Sequence, residues 1–190
     1  VDFHDLEHFA LEILVDEETE TAKKTAEEFR DTFEEIMIDE YQDSNQVQET
    51  LLRAVSREER GENNFFMVGD VKQSIYRFRL ARPELFMKKY DSYTLEDSTT
   101  QRIDLHKNFR SREEVLGFTN DIFYKIMAKN LGNVVYDSEA ALYPGASYEK
   151  AGNGMFAPEV LLVDSEDELL EDSQYSDKKT LEAKLVAEKI

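Results

Sequence analysis

Two short apolar runs, each followed by an acid, dominate the hydrophobic pattern of this chain. Residues 36–38 are apolar and lead into Asp39 and Glu40, and residues 65–68 are apolar and lead, after one glycine, into Asp70. Apolar residues recur at helical spacing between the two runs, so the pattern predicts two strands joined by a helix. Strands joined in this way form the right-handed crossover unit of a parallel sheet, which predicts an α/β fold.

Further elements are predicted on both sides of this unit. Asp2 is a good N-cap for a first helix with a periodic apolar face, which consists of Phe3, Leu6, Ala10, Ile13 and Leu14. Helices are also predicted over 22–33, 47–55, 83–90, 111–127 and from 181 onward, and strands at 103–105 and 160–163. Asp43 or Ser44 is expected to cap the helix between the two strands.

Two later segments complete the pattern. The helix after Ser111 is expected to bury the face that carries Val115, Ile122 and Ile126. Residues 132–158 contain four of the seven glycines and two of the three prolines, which predicts a loop-rich segment.

The charge of the chain argues against binding to polyanions. It has 42 acidic and 23 basic residues and a formal net charge of -19, which repels DNA at long range. Residues 72–82 are an exception, because their charged side chains are all basic: Lys72, Arg77, Arg79 and Arg82. A local basic strip on an acidic body is therefore possible.

The composition also bounds the chemistry and the location. The chain has no cysteine, which excludes disulfides, thiolate metal sites and cysteine nucleophiles. It has no apolar run long enough for a membrane span, and its first residues lack the pattern of a signal peptide. We therefore expect a cytoplasmic protein without a membrane partner.

Asp39 and Glu40 are the strongest candidates for catalysis. At the end of a buried strand, one carboxylate can hold Mg²⁺ while the other orients an attacking water. The alternative is an ordinary acidic turn. A weaker candidate is a zinc site on the first helix, where His4, Glu7 and His8 have H-x-x-E-H spacing; its alternative is a solvated helix face.

Three segments resemble a known family of motor enzymes. IMIDEYQDSNQVQ, FFMVGDVKQSIYRFRLARPELF and IDLHKNFRSREEVL resemble motifs II, III and IV of the superfamily 1 DNA helicases of the UvrD, Rep and PcrA type. The wording GDVKQSIYRFRLARPELF, with the later ALYPGA, is most similar to the AddA (RexA) type of helicase-nuclease.

The resemblance implies roles for the residues at the strand ends. Asp39 would coordinate Mg²⁺ and Glu40 would activate the hydrolytic water. Gln42 would link this edge to the neighbouring motif, and Gln73 would touch the γ-phosphate of ATP and couple its state to DNA.

The resemblance also implies roles for two other groups of residues. Tyr76, Phe78 and Arg79 would lie near single-stranded DNA, with core packing as the alternative for the two rings. Phe109 would lie against the adenine, and Arg110 would reach the γ-phosphate, with a salt bridge at a helix entry as its alternative.

The implied fold is two partial RecA-like units with parallel sheets flanked by helices, residues 1–97 and 98–190. None of the seven glycines is followed by lysine, so the G-x-x-x-x-G-K-[ST] phosphate loop is absent from this sequence. We therefore expect an excised piece of an ATP-dependent helicase, inactive alone, whose parent repairs double-strand breaks with an AddB or RexB type partner and carries an exonuclease domain elsewhere. The alternative is a non-catalytic scaffold.

Overall fold

The computed structural model describes residues 1–128, 134–149, 152–164 and 178–190. Its helices are α1 (Phe3–Leu14), α2 (Lys24–Thr32), α3 (Gln46–Val55), α4 (Pro83–Ser92), α5 (Glu113–Ile126) and α6 (Lys178–Lys189). Its strands are β1 (Ile36–Ile38), β2 (Phe65–Met67), β3 (Lys107–Asn108) and β4 (Tyr143–Pro144). The mixture of helices and short parallel strands confirms the predicted α/β class.

The chain forms two compact units. Unit one comprises Val1–Leu105 with Met127–Val135, and unit two comprises His106–Ile126 with Tyr136–Ile190. The predicted division into helicase lobes, 1–97 and 98–190, stays a prediction. Within the described residues, no helix is both long and apolar enough to cross a membrane.

The crossover unit predicted from the two apolar runs is present in unit one. β1 pairs in parallel with β2, and Ile36 lies opposite Phe65. Helix α3 connects the two strands, and its N-cap is Asn45 rather than the predicted Asp43 or Ser44. Asn45 and Gln48 cap each other's backbone N–H groups, at 2.9 and 3.2 Å, which satisfies two donors that the first turn cannot.

A buried arginine ties helix α2 to the end of α3. Arg30 is almost fully buried, and its Nε donates to the carbonyl of Ala54 at 2.7 Å. Its guanidinium also binds Glu27 at 2.7 Å and Glu59 at 2.8 Å. Because a guanidinium carries donors in a rigid fork, it satisfies a helix end and two carboxylates at once.

The first helix begins as predicted but packs through a different face. Asp2 caps α1 by accepting the N–H of Asp5 at 3.0 Å. The predicted apolar face was wrong, because Phe3, Leu6 and Ile13 are exposed. The helix contacts α2 and α3 along one narrow side, so only part of its apolar surface is covered.

Both short strands predicted after residue 100 were wrong. Residues 103–105 are irregular, and the ladder begins at β3, which pairs in parallel with β4. Residues 160–163 are also irregular. In both segments the apolar side chains are largely exposed, so hydrophobicity alone did not create a strand without a neighbour to pair with.

The core of unit two lies on a different face of α5 from the one predicted. Leu116 is buried, whereas Val115, Ile122 and Ile126 are exposed. Asn120, on the same face as Leu116, exchanges two hydrogen bonds of 2.9 Å with the backbone of Leu142. Much of the predicted loop-rich segment is irregular where the structure describes it; residues 132, 133, 150 and 151 lie outside the described residues.

Candidate functional site

The carboxyl ends of β1 and β2 bring acidic residues to one edge of unit one. Asp39 and Glu40 follow β1, and Asp70 follows β2 after Val68 and Gly69. The strands are parallel, so these residues project from the same edge. Asp39 and Glu40 are exposed, and the N–H of Glu40 donates to Asp39 Oδ1 at 2.9 Å.

Gln42 joins the two strand ends. It is 1% exposed; its Nε2 donates to Glu40 Oε2 at 2.7 Å, and its Oε1 accepts the backbone N–H of Asp70 at 2.9 Å. A methyl group added to Gly69 would lie only 2.6 Å from Gln42 Oε1. Glycine at this position therefore permits the close approach of the Gln42 amide to β2.

Gln73 is brought to the same edge by Asp70. Residues Val71–Gln73 form a 3₁₀ turn, and the exposed Gln73 donates through Nε2 to Asp70 Oδ2 at 3.1 Å. The other oxygen of Asp70 lies 2.9 Å from Lys72 Nζ. Hydrogen bonds thus run continuously from Glu40 through Gln42 and Asp70 to Gln73.

A buried polar network lies beneath Glu40, and sequence reasoning missed it. Tyr41 is fully buried, and its hydroxyl donates to Glu49 of α3. The other oxygen of Glu49 lies 3.6 Å from Lys89 Nζ of α4. Burial, with the hydrogen bond to Glu49, raises the pKa of Tyr41 above its ordinary value. Periodicity gave no signal for Glu49, since acids on helices are ordinarily solvated.

An open depression of about 450 Å³ lies beside the acidic edge, and its walls are formed by residues of β1 and α3. Asp43 lines it, with an Oδ1 that is buried and without a hydrogen-bond partner among the described residues. Burial, helped by the charge of Glu40, raises the pKa of Asp43. The depression is therefore lined by carboxylates and has one unsatisfied oxygen acceptor.

Oxygen donors of this kind suit Mg²⁺, which takes few protein ligands and retains water or phosphate as the others. Among the described residues, no three histidines or carboxylates cluster closely enough to hold a metal without outside ligands. Asp39 fits the role of a single carboxylate ligand. The zinc alternative on α1 lacks support, because His4 contacts Glu7 at 3.5 Å with no third ligand among the described residues.

The segment after Gln73 presents aromatic rings and a guanidinium on the surface. The ring centroids of Tyr76 and Phe78 lie 5.9 Å apart, and the Arg79 guanidinium lies 5.3 Å from the first ring and 5.7 Å from the second. Phe78 is 75% exposed, which disfavours core packing as its role. The N–H of Arg82 donates to the carbonyl of Ser44 at 2.9 Å and ties this segment to the residues after Glu40.

The two remaining candidate residues lie in unit two. Asn108 Oδ1 accepts the N–H groups of Arg110 and Ser111, both at 2.9 Å, and so shapes the turn before α5. Phe109 is exposed and lies so close to Gly145 that an added methyl group would meet its ring at 2.8 Å. Arg110 is exposed and forms no ion pair with the residues that the structure describes, which disfavours the salt-bridge alternative.

Comparison with known proteins decides the family of this edge. Residues 1–94 match the UvrD/REP helicase N-terminal domain. This half of the chain belongs to the UvrD/REP helicase family.

Similar curated proteins extend the UvrD/REP likeness across the chain, and all three are ATP-dependent helicase/nuclease subunits of the AddA type. The one from Lachnoclostridium phytofermentans is 54% identical over 90% of this chain and 12% of its own length. Those from Clostridium botulinum and Bacillus cereus are 52% and 46% identical, over 80% and 100% of this chain and 12% and 16% of their own lengths. The chain thus spans less than a fifth of these relatives.

The UvrD/REP match confirms the predicted helicase resemblance for unit one, and the relatives confirm the AddA type. It includes the strand-end residues and Tyr76, Phe78 and Arg79, whereas Phe109 and Arg110 lie beyond it. The assignment of numbered motifs, and of a role to each residue, stays a prediction.

Proposed function

We propose that this chain is the middle part of an ATP-driven DNA helicase-nuclease of the AddA (RexA) type. Residues 1–97 would be the end of one RecA-like lobe with motifs II and III, and residues 98–190 the start of the next with motif IV. The observation that carries the proposal is the bridge made by Gln42, which joins Glu40 to the end of β2 within the UvrD/REP segment. A hydrolase that drives motion needs such a link between its catalytic edge and a neighbouring strand.

At the catalytic edge, Asp39 is the proposed ligand of Mg²⁺ and Glu40 the group that orients the attacking water. Mg²⁺, when bound with ATP, supplies positive charge beside the β- and γ-phosphates. Glu40 suits its role because its carboxylate is exposed at the strand end and is held by Gln42 at 2.7 Å. An oriented carboxylate accepts a proton from water at fixed geometry, which favours attack.

Gln73 is the proposed sensor of the γ-phosphate. It is hydrogen-bonded to Asp70, whose backbone N–H is bound by Gln42. A change at the phosphate would therefore reach the Tyr76–Arg79 surface along one short stretch of chain. Single-stranded DNA would bind there through stacking on the rings and through the positive charge of Arg79.

Unit two would complete the nucleotide site. Phe109 would stack on the adenine, since its ring is exposed and supported from behind by Gly145. Arg110 would reach the γ-phosphate, since a guanidinium matches the charge that spreads over phosphoryl oxygens during transfer. Both residues are proposed as ATP contacts together with Gln42 and Gln73.

The parent protein would act in double-strand break repair and recombination with a second protein of the AddB or RexB type. The relatives are named as helicase/nuclease subunits, so the nuclease activity would lie outside the present 190 residues. The isolated chain would not hydrolyse ATP efficiently, because no glycine in it is followed by lysine and a phosphate loop is missing.

The test is Glu40→Gln in the full-length polypeptide. DNA-stimulated ATP turnover is expected to fall by roughly a hundredfold or more, since general-base and positioning effects of this size are lost together. Glu35→Gln is the matched control, because Glu35 is an exposed acid at the opposite end of β1. Near-normal turnover in Glu40→Gln would refute the assigned role.

A non-catalytic scaffold is the second candidate, favoured by the missing phosphate loop and the net charge of -19. It requires that the complete coding sequence also lack a G-x-x-x-x-G-K-[ST] loop upstream of Val1. Reading that sequence distinguishes the two functions, since an enzyme of this class requires the loop to hold the triphosphate.

A further inference from the structure

The backbone of Glu40 adopts a conformation that is uncommon for residues other than glycine. Its φ and ψ are 52° and 39°, in the left-handed region. Such a conformation persists where the surrounding structure holds it. The N–H of Asp43 donates to the carbonyl of Glu40 at 2.9 Å, which fixes one side of the turn.

The residue after Glu40 anchors the other side. Tyr41 is fully buried, and its N–H donates to the carbonyl of Val68 at 2.9 Å, at the end of β2. Its ring meets Phe65 edge-on with centroids 6.1 Å apart and lies 6.3 Å from the ring of Phe86. The hydroxyl, at the far end of the side chain, donates to Glu49.

Glu49 is held in turn by a second helix. Lys89 Nζ lies 3.6 Å from Glu49 Oε1 and 5.4 Å from the ring centroid of Phe65. Both side chains are largely buried. A buried ion pair adds little net stability over apolar residues of the same shape, yet breaking it leaves a charge without a partner. The pair therefore fixes the Tyr41 hydroxyl in one place.

We propose that Glu49 and Lys89 are positioning residues that set the geometry of Glu40 through Tyr41. This role rests on the proposed function of Glu40 in orienting the attacking water. The network holds the backbone of residue 40 from below, from α3 and α4, whereas Gln42 holds its carboxylate from the side. Loss of the Tyr41 hydroxyl bond frees the turn to relax, and the carboxylate then moves away from the reacting water.

The experiment measures DNA-stimulated ATP hydrolysis by the full-length polypeptide carrying Tyr41→Phe. The kcat is expected to fall roughly ten- to hundredfold, as a small displacement of a catalytic group does, while KM for ATP stays within about threefold. Glu49→Gln keeps an acceptor for the phenol and is expected to retain more of kcat than Glu49→Leu. Tyr136→Phe is the control, because it removes a buried hydroxyl bonded to Asn120 at 2.6 Å in unit two and leaves kcat unchanged.

A double variant separates positioning from a merely structural effect. In a Glu40→Gln background, Tyr41→Phe is expected to cause no further loss of kcat, because it acts through the carboxylate that is already absent. Losses that multiply would overturn the positioning role. So would an unchanged kcat in Tyr41→Phe when Glu40→Gln is inactive, and the proposed function would then stand. Full activity of Glu40→Gln would overturn both.

Discussion

The side-chain oxygen of Gln42 accepts the backbone N–H of Asp70 at 2.9 Å, across the ends of two parallel strands. The same amide donates through Nε2 to Glu40 at 2.7 Å. A glutamine can make both bonds because its amide has a donor on one atom and an acceptor on the other. Neither glutamate nor leucine could do so.

Gln42→Ala is expected to lower the free energy of unfolding of this chain by about 1–3 kcal/mol, because it leaves the N–H of Asp70 without its partner. Urea denaturation measures the change. The control is Gln73→Ala, which removes an exposed glutamine bonded to the side chain of the same Asp70 and is expected to cost less than about 0.5 kcal/mol. Equal losses in the two variants would show that the Gln42 bridge has no special weight.

Gly69→Ala is expected to destabilise unit one by about 1–3 kcal/mol, since overpacking forces neighbours to shift. The new methyl group would lie 2.6 Å from Gln42 Oε1 and 3.0 Å from the ring of Phe86. Gly117→Ala is the opposite case, because nothing lies within 4 Å of the new methyl group in α5. It is expected to gain about 0.5–1 kcal/mol from helix propensity. Thermal unfolding of each variant checks the signs.

The crossover unit could be predicted because its signals are local. Each apolar run ends in an acid, the spacing between the runs is helical, and connection handedness then requires a parallel pair. The positions of Asp39, Glu40 and Asp70 at one edge follow directly. The role of Gln42 as a bridge depended on the family resemblance, since a glutamine in a polar run has no distinct sequence signal.

Other features depend on tertiary partners and could not be predicted. The buried side of α1 is chosen by α2 and α3, not by its own periodicity, so Phe3 is exposed. The register of β3 is decided by β4, far along the chain, where Lys107 lies opposite Tyr143. Tyr41 and Glu49 meet through the packing of α3 against the strand end, which neither residue's neighbours in sequence indicate.

Acid sensitivity of unit one is expected to depend on Glu27. Hydrogen bonds from Arg60, together with the charges of Arg30 and Arg60, hold the pKa of Glu27 below its ordinary value of 4.5. Because the folded-state pKa is lowered, the stabilisation is present above pH 4.5 and is lost as the pH falls through the folded-state value. The effect is screened by solvent, since Glu27 is 41% exposed.

Glu27→Gln is therefore expected to lower the unfolding temperature at neutral pH and to reduce its further fall on acidification. Unfolding temperatures recorded from about pH 7 to about pH 3 measure the slope. Glu28→Gln, at the exposed neighbouring position of α2, is the control and should retain the slope of the unaltered chain. An unchanged slope in Glu27→Gln would assign the acid sensitivity to other carboxylates.

Single-stranded DNA affinity of the full-length polypeptide is expected to depend on Phe78 and Arg79 in different ways. Phe78→Ala removes a stacking face that is 75% exposed, and base stacking of this kind is worth about 1–3 kcal/mol per base. Arg79→Ala removes a positive charge, so it should also reduce the slope of log affinity against log salt by about 0.7. Fluorescence anisotropy titrations at several salt concentrations measure both quantities.

The two variants separate stacking from charge at the Tyr76–Arg79 surface. Phe78→Ala should weaken binding at every salt concentration and leave the salt slope unchanged, because no counterion release is lost with a neutral ring. Phe66→Ala is the matched control, since Phe66 is an exposed phenylalanine of β2 outside this surface. If Phe78→Ala binds DNA as tightly as Phe66→Ala, the exposed ring does not stack on bases, and the surface would contact DNA through Arg79 alone.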